Sequence, residues 1–432
     1  MKHWLIFGTL MLTVAVARAD FFKADRDPGA ALPADRVYPA GRVFPIGGFS
    51  PPAGADLRKL GFSLAGPVYG GPERMAEFAR KQAAAGMPVI WQLEVIYKNQ
   101  PMSIKRFDAL VKNKEAIDWA AMDRAMEQAV REALNTADGN IAFWAITPEE
   151  LRHWHQDEME YLRRFAAVIR KLDGKKRPVW MYIPGHYNQS ALEHYAPILD
   201  VLAQGYYPHA GATPRVWCRY WAENLANAAA KSGNKNLIVG VVPEMYVQPR
   251  AEELAMVPVW VRHDVFMPLI YGARFVEIFS LARRAGFDAH GSYFFAYSNI
   301  AKTLTRPGGL GEVLLFGERL NDLKLAVTAG PAEVEYVRKD KDGKITVARK
   351  YPTLAWADIR HASGRYLFAG SSAAEPVKAR LSGLPKMPVA VFDAETGRQL
   401  GVAADGQWNL AFAPYEIKIL RLTPRTETGK EP

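Results

Sequence analysis

The sequence predicts an α/β protein, a (β/α)8 TIM barrel followed by a small antiparallel β-sandwich. Three observations carry that expectation. Between Arg42 and Ser280, short apolar runs alternate with longer segments of helical spacing, as strands covered by helices require. The apolar runs lack strict alternation, which suits a parallel sheet buried on both faces. Beyond Gly308 the pattern changes to alternating apolar and polar residues between turn signals, the mark of antiparallel strands with one buried face.

The strand candidates, in order, are "RVFPIGG" (Arg42–Gly48), "GFSLAG" (Gly61–Gly66), "MPVIWQLEV" (Met87–Val95) and "IAFWAIT" (Ile141–Thr147). They continue with "RPVWMYIPG" (Arg177–Gly185), "LDVLAQGYYP" (Leu199–Pro208), "NLIVGVVPE" (Asn236–Glu244) and "RFVEIFSLA" (Arg274–Ala282). Eight strands with helices between them suggest closure into a barrel. An open doubly wound sheet is the alternative, but no glycine-rich phosphate fingerprint follows the first strand. Between the strands, Trp119, Met122, Met126, Ala129 and Ala133 step by three and four, as do Leu162, Phe165, Ile169 and Leu172. Each set forms one apolar stripe that a helix can lay on a sheet. The first unit is irregular, because "FSPPAGADLRKL" leaves room for little helix.

In the C-terminal part, "EVEYVRKDKDGKITVARKY" reads as two strands around Asp342 and Gly343, and "YEIKILRLT" alternates. With the turn signals "ETGRQ" and "ADGQW", this gives a sandwich over residues 319–424 behind a barrel over 36–318. Residues 425–432 should be disordered.

The first nineteen residues, "MKHWLIFGTLMLTVAVARA", have a basic start, an apolar run from Trp4 to Val16, and small residues Ala17 and Ala19. That is the form of a secretory signal peptide (1–19), followed by an extension over 20–35, so the chain is expected to be exported, periplasmic or secreted. No later segment reaches the roughly 20 apolar residues of a membrane span. Cys218 is the only cysteine, which excludes an intramolecular disulfide and leaves stability to a large core, for which 432 residues at 49% hydrophobic content suffice. The formal charge is +10, yet there is no long basic run, nucleic-acid motif or basic amphipathic stripe, so no nucleic-acid partner is expected.

Barrel enzymes place chemistry at the carboxyl ends of their strands. Those ends are rich in carboxylates and aromatics here: Trp91 and Glu94 on the third, Trp144, Glu149 and Glu150 on the fourth, Tyr187 after the fifth, Tyr207 and His209 after the sixth, Glu244 and Tyr246 after the seventh. Aromatic rings stack on the apolar faces of sugars, and a bond between sugars is usually broken by two carboxyl groups, one protonated and one ionised. Glu149 and Glu244 end strands four and seven and are the expected catalytic pair. His263 and Asp264, near the start of the next helix, either line the sugar site or satisfy the helix start. The expected partner is an oligo- or polysaccharide, with no cofactor and no metal; His153 and His155 lie two apart and face different sides of a helix.

Glutamates at the ends of strands four and seven resemble the arrangement of the clan A retaining glycoside hydrolases. The segments "RVFPIGGF", "DVLAQGYYP" and "RHDVFMPLIYGARFVEIFS" are similar to uncharacterised bacterial proteins of this barrel type with a C-terminal β-sandwich. The resemblance implies hydrolysis by double displacement, with Glu149 as acid/base, Glu244 as nucleophile and their carboxyl groups about 5–5.5 Å apart. One departure stands out: the clan has Asn before the acid/base glutamate, and here Pro148 precedes Glu149. Glu150 is therefore the reserve for Glu149, and a non-catalytic carbohydrate-binding protein on the same scaffold is the alternative. Structure alone also explains each carboxylate. Glu149 and Glu150 after Pro148 suit a first helical turn, and Glu244 suits a buried ion pair.

Overall fold

The computed structural model describes residues 43–424 apart from 53, 210–212, 235, 321, 340 and 341. The expected signal peptide, N-terminal extension and C-terminal tail lie outside the described residues. In chain order the first part comprises β1 (Ile46–Gly48), α1 (Pro72–Ala84), β2 (Val89–Leu93), a short hairpin of β3 (Ile96–Tyr97) and β4 (Gln100–Pro101), α2 (Ile104–Lys112) and α3 (Trp119–Ala137). Next come β5 (Ile141–Ile146), α4 (Gln156–Leu172), β6 (Val179–Ile183), α5 (Gln189–Tyr195), β7 (Val201–Tyr206), α6 (Trp217–Ser232) and β8 (Ile238–Pro243). The last are α7 (Val257–Ile270), β9 (Phe275–Ile278), α8 (His290–Thr305) and α9 (Leu310–Phe316).

Seven strands pair in the order β1-β9-β8-β7-β6-β5-β2. The opening between β1 and β2 is closed by the second expected strand, reduced to a bridge. Ser63 and Leu64 N–H donate to the Ile46 carbonyl at 3.0 and 3.2 Å, Ala65 N–H to Pro88 at 3.0 Å, and Ile90 N–H to Ala65 at 3.0 Å, with Ala65 facing Val89 in parallel. This strand stays short because Gly66 takes φ +81° and Pro67 has no N–H to continue a ladder. The ring of strands is thus the expected TIM barrel.

The covering helices form for the reasons their spacing gave. Asp118 caps α3 by accepting from Ala121 N–H at 3.0 Å, and Met122, Met126, Val130 and Ala133 are its buried stripe. In α4 the buried side chains include Leu162, Phe165 and Ile169. Helix α7, "VPVWVRHDVFMPLI", is apolar nearly all round and buried nearly all round, because a second layer covers its outer face.

That layer is the C-terminal part. It begins with β10 (Glu318–Leu320), β11 (Lys324–Ala329), β12 (Glu333–Lys339), β13 (Ile345–Pro352), β14 (Leu354–His361) and β15 (Gly364–Ser371). It ends with β16 (Val377–Ser382), β17 (Val389–Asp393), β18 (Gln399–Ala403), β19 (Gln407–Phe412) and β20 (Ile417–Pro424). A six-stranded sheet, β10-β14-β15-β20-β17-β18, and a three-stranded one, β11-β16-β19, enclose Leu325, Leu354, Leu367, Val377, Leu381, Val391 and Leu420. The outer face of the larger sheet packs on α7. At Gly370 a Cβ would lie 2.9 Å from Met267 Cε, so glycine lets helix and sheet close. Arg262 of α7 holds Glu395 through two hydrogen bonds of 2.8 and 2.6 Å. Among the described residues, no helix is long and apolar enough to cross a membrane.

Register and alternation say which side chains enter the barrel. Ile90 pairs with Phe143 and Gln92 with Ala145, while Gly240 pairs with Phe275. Phe275 meets Phe143 at 5.2 Å and Trp180 at 5.3 Å between ring centroids, which makes a closed lower layer from β5, β6 and β9. Above it Phe49, on the loop after β1, reaches Trp180 at 5.9 Å, Tyr182 at 6.5 Å and Phe279 at 5.4 Å. The interior is therefore packed to the level of Phe49, and the mouth begins there.

Candidate active site

Glu149 sits in the turn that leaves β5. Thr147 Oγ1 donates to the Leu93 carbonyl at 2.6 Å, Tyr161 Oη to the Thr147 carbonyl at 2.8 Å, Glu150 N–H to the Tyr182 carbonyl at 3.2 Å, and Tyr195 Oη to the Leu151 carbonyl at 2.5 Å. These bonds tie the turn to β2, β6, α4 and α5. Glu150 itself takes φ +62°, left-handed backbone that is strained for a non-glycine residue. The helix after β5 begins only at Gln156, so neither glutamate lies in its first turn. The acidic residues that favour that helix N-terminus are Asp157 and Glu158, and the helix-dipole account of Glu149 and Glu150 falls.

The Glu149 carboxylate opens on a cavity of about 220 Å³ at the barrel mouth, lined also by Tyr69, Gln92, Glu94, Met102 and Thr147. Tyr69 Oη donates to both carboxylate oxygens, at 3.2 and 3.1 Å, and its ring stacks on Phe49 at 5.8 Å. Burial raises the Glu149 pKa, the Tyr69 hydrogen bond lowers it and the charge of Glu150 raises it, leaving it at about 7. Burial also raises that of Glu150. A carboxyl group that keeps its proton near neutrality, beside an ionisable neighbour in a cleft, has the properties of a general acid.

Glu244 lies just past β8, facing Phe279 across a parallel bridge. It is 4% exposed. Its Oε1 accepts a short hydrogen bond from His209 N–H, and its carbonyl accepts from Tyr297 Oη at 2.8 Å. A band of rings lines the mouth at the exits of β6, β7, β8 and β9. Tyr182 stacks on Tyr207 at 6.4 Å, Tyr207 meets Tyr246 at 5.4 Å and Phe279 at 5.9 Å, and Phe279 meets Tyr246 at 5.7 Å. Gly205 makes room for this band, since a Cβ there would lie within 3.1 Å of Tyr207 Cζ. The cavity that holds Glu149 holds Glu94 as its second carboxylate.

Among the expected substrate residues, Glu94, Glu150, Tyr207, Tyr246 and His209 stand around the mouth. Tyr187 is buried under it, stacked on Tyr195 at 6.0 Å with the exposed Trp154 edge-on at 5.9 Å. Four others are placed elsewhere. Trp91 and Trp144 pair with each other in register on the face opposite Ile90 and Phe143, so both point outward to the helices. Trp144 Nε1 donates to Asp173 Oδ2 at 2.8 Å at the end of α4, which makes it core. His263 and Asp264 face the sandwich and α6: His263 Nδ1 is 2.9 Å from Asp264 Oδ1, and its Nε2 is 3.3 Å from Ser372 Oγ. Asp264 also holds Arg215 Nη2 at 3.1 Å and Cys218 Sγ at 3.4 Å.

Donor atoms of Cys218, His263 and Asp264 lie within 4.8 Å of one another, but they already bond to each other and the Arg215 cation stands on the carboxylate. Burial pushes the Asp264 pKa up, and Arg215, His263 and Cys218 bring it below the usual carboxylate value. The cluster fits a buried interdomain tie. Sequence reasoning missed Tyr69, which bonds to Glu149, and Tyr182, whose hydroxyl pKa is raised by burial and by the charges of Glu150 and Glu149. The alternation of "VWMYI" could have placed Tyr182 inside the barrel with Trp180; no local signal marks Tyr69, whose partner is 80 residues away.

No protein-family model matches the chain, and no curated protein sequence matches it. Solved structures do align over most of its length. They include an α-amylase from Geobacillus thermoleovorans complexed with acarbose (10% identity, 86% of this chain and 90% of that chain, TM-score 0.48). A GH27 β-L-arabinopyranosidase from Geobacillus stearothermophilus aligns at 9% identity, over 89% of this chain and 98% of that chain, with TM-score 0.48. A GH30 endoxylanase from Clostridium papyrosolvens aligns at 11% identity, over 89% and 97%, with TM-score 0.43. The assignment of this chain to the barrel class rests on its own strand order.

Proposed function

We propose that the protein is an exported glycoside hydrolase acting on an oligo- or polysaccharide. The observation that carries this reading is the Glu149 carboxyl: it lies at a strand exit in the mouth, opens on a cavity, and has a pKa of about 7. In the proposed reaction Glu149 gives its proton to the glycosidic oxygen as the C–O bond breaks. Glu244 attacks the anomeric carbon, and water activated by the deprotonated Glu149 then releases the glycosyl group. The Tyr182, Tyr207, Tyr246 and Phe279 rings supply apolar faces on which sugars stack, and the leader-like first nineteen residues support export.

A second assignment of the other carboxylate is favoured by one observation: Glu94 shares the Glu149 cavity, whereas Glu244 is enclosed and bonded to His209 N–H. The experiment is product release from a panel of polysaccharides and aryl glycosides, run on wild type, Glu149→Gln, Glu244→Gln and Glu94→Gln, each checked by thermal melt. Wild-type turnover lost in folded Glu149→Gln supports the reading. Loss in Glu244→Gln or in Glu94→Gln then identifies the second carboxylate, and azide rescue of the corresponding alanine variant with a glycosyl azide of inverted configuration would mark it as the nucleophile. An inert wild type whose melt is raised by a glycan would replace the hydrolase with a carbohydrate-binding protein on the same barrel.

A further inference from the structure

The exit of β9 carries a cation that the proposed reaction leaves unused. Arg284 lies over the Tyr246 ring at 5.2 Å and the Phe279 ring at 5.5 Å, and its Nη2 donates to Ser280 Oγ at 3.0 Å. Among the described residues, no carboxylate lies within ion-pair distance of it. Its loop is pinned at both ends. Leu281 is fully buried and its N–H donates to the Phe49 carbonyl at 2.9 Å. His290 Nε2 lies 3.0 Å from the Leu281 carbonyl, and Phe287 is 4% exposed. The guanidinium is thus held beside the mouth rings on an exposed residue. Tyr246 is within reach of both charges: its hydroxyl is pushed up to about 12 by burial and the Glu244 charge, against the pull of Arg284.

An exposed arginine normally ranges over many rotamers or pairs with a surface carboxylate; this one is already fixed over aromatic rings at the cleft. A planar guanidinium that spends one N–H on Ser280 and, among the described residues, keeps the others unbonded matches an oxyanion, and part of the ordering cost has been met before a ligand arrives. Resting on the glycan-binding reading of the mouth, we propose that the substrate is an anionic glycan whose carboxylate or sulfate ester is bound by Arg284 while its ring stacks on Tyr207, which stands edge-on to Tyr246. Arg284 is then a specificity-determining residue. The net charge of +10 would favour the encounter, but it does not locate the contact.

The test uses the full chain and defined probes: polygalacturonate and hyaluronan as carboxylate polymers, κ-carrageenan as a sulfate ester, and carboxyl-reduced polygalacturonate and xylan as uncharged controls. Binding is read by affinity electrophoresis and melting shift, independently of turnover. An anionic polymer should bind wild type, and Arg284→Gln should weaken it about tenfold to a hundredfold, with Arg284→Lys between the two and the uncharged controls unaffected. Diffuse attraction to a chain with 55 Lys and Arg would hardly change on losing one, so equal binding by Arg284→Gln overturns the proposal, as does absence of binding by every anionic probe. The carboxylate and sulfate arms separate the two sources of charge. Arg284-dependent binding without cleavage upholds this inference and removes the hydrolase reading. Cleavage of a neutral glycan that Arg284→Gln leaves intact does the reverse.

Discussion

Replacing Glu149 by glutamine tests the protonated state on which the proposed chemistry depends, and it does so without a substrate. The carboxyl is held at about 7, where its ordinary value is 4.5, a difference worth about 3 kcal/mol. Because the residue is only half-buried and opens on water, screening reduces this to about 1–2 kcal/mol. The sign follows from which state binds the proton. Below pH 4.5 both folded and unfolded chains are protonated at this site and it contributes no pH dependence. Between 4.5 and about 7 the unfolded chain ionises first, so wild-type stability falls as pH rises; above about 7 the loss is constant. Glutamine has no proton to lose and its amide oxygen can keep the Tyr69 hydrogen bond. Urea denaturation of both proteins across pH 4 to 8 should therefore give about equal stabilities at the acid end and a variant about 1–2 kcal/mol more stable at the alkaline end. A difference that does not change with pH, or a variant less stable at the alkaline end, would refute the reasoning and with it the role of Glu149 as acid.

Two further substitutions test the placement of other residues. Glu277 lies two residues from Phe275 and from Phe279 and shares their face, so it points into the barrel. It is fully buried, both its oxygens lack a hydrogen-bond partner among the described residues, and burial holds its pKa well above the carboxylate range. Glu277→Met should stabilise the fold by about 1–3 kcal/mol near neutral pH, by a margin that grows with pH above the ordinary carboxylate value. Denaturation measures this, and a destabilised variant would mean that the carboxyl has a partner. Trp144→Phe should cost about 1–3 kcal/mol by leaving Asp173 without its indole donor, while glycan affinity, measured in the same electrophoresis, stays unchanged. Weakened binding with a native melt would return Trp144 to the mouth.

The parts of the fold that were legible in the sequence are those that depend on periodicity. Each of the expected strand runs takes its place in the ring, including "GFSLAG", whose flanking Gly66 and Pro67 shorten it to a bridge. The β3–β4 hairpin is not legible, because "IYKNQPM" has strands of two residues and too little length for any period to emerge. In the site, counting strand ends found Glu149 and Glu244 but could not sort faces. Trp91 and Trp144 are aromatics near an exit, but the polar residues Gln92 and Glu94, one step out of phase with Trp91, show which face of that strand meets water. For His263 and Asp264 the available clue was α7 itself, whose apolar residues go all round the helix and so require that its polar ones be enclosed too.

Chain order also hides the division of the mouth by charge. Glu94, Glu149 and Glu150 gather at the exits of β2 and β5, whereas Arg284 lies beyond β9, and Glu244, just past β8, is 4% exposed. Between the two regions runs the uncharged band of Tyr182, Tyr207 and Phe279. A neutral sugar chain could lie across this band in either direction, since rings stack on sugars with little regard for polarity. A chain bearing one anionic group could not, because that group would meet three carboxyl groups at one end and a fixed guanidinium at the other. If the substrate is anionic, as proposed, Arg284 therefore sets more than affinity: it selects the orientation in which a glycosidic oxygen faces Glu149. Its loss should then lower kcat as well as raise KM, and a change in KM alone would limit its part to binding.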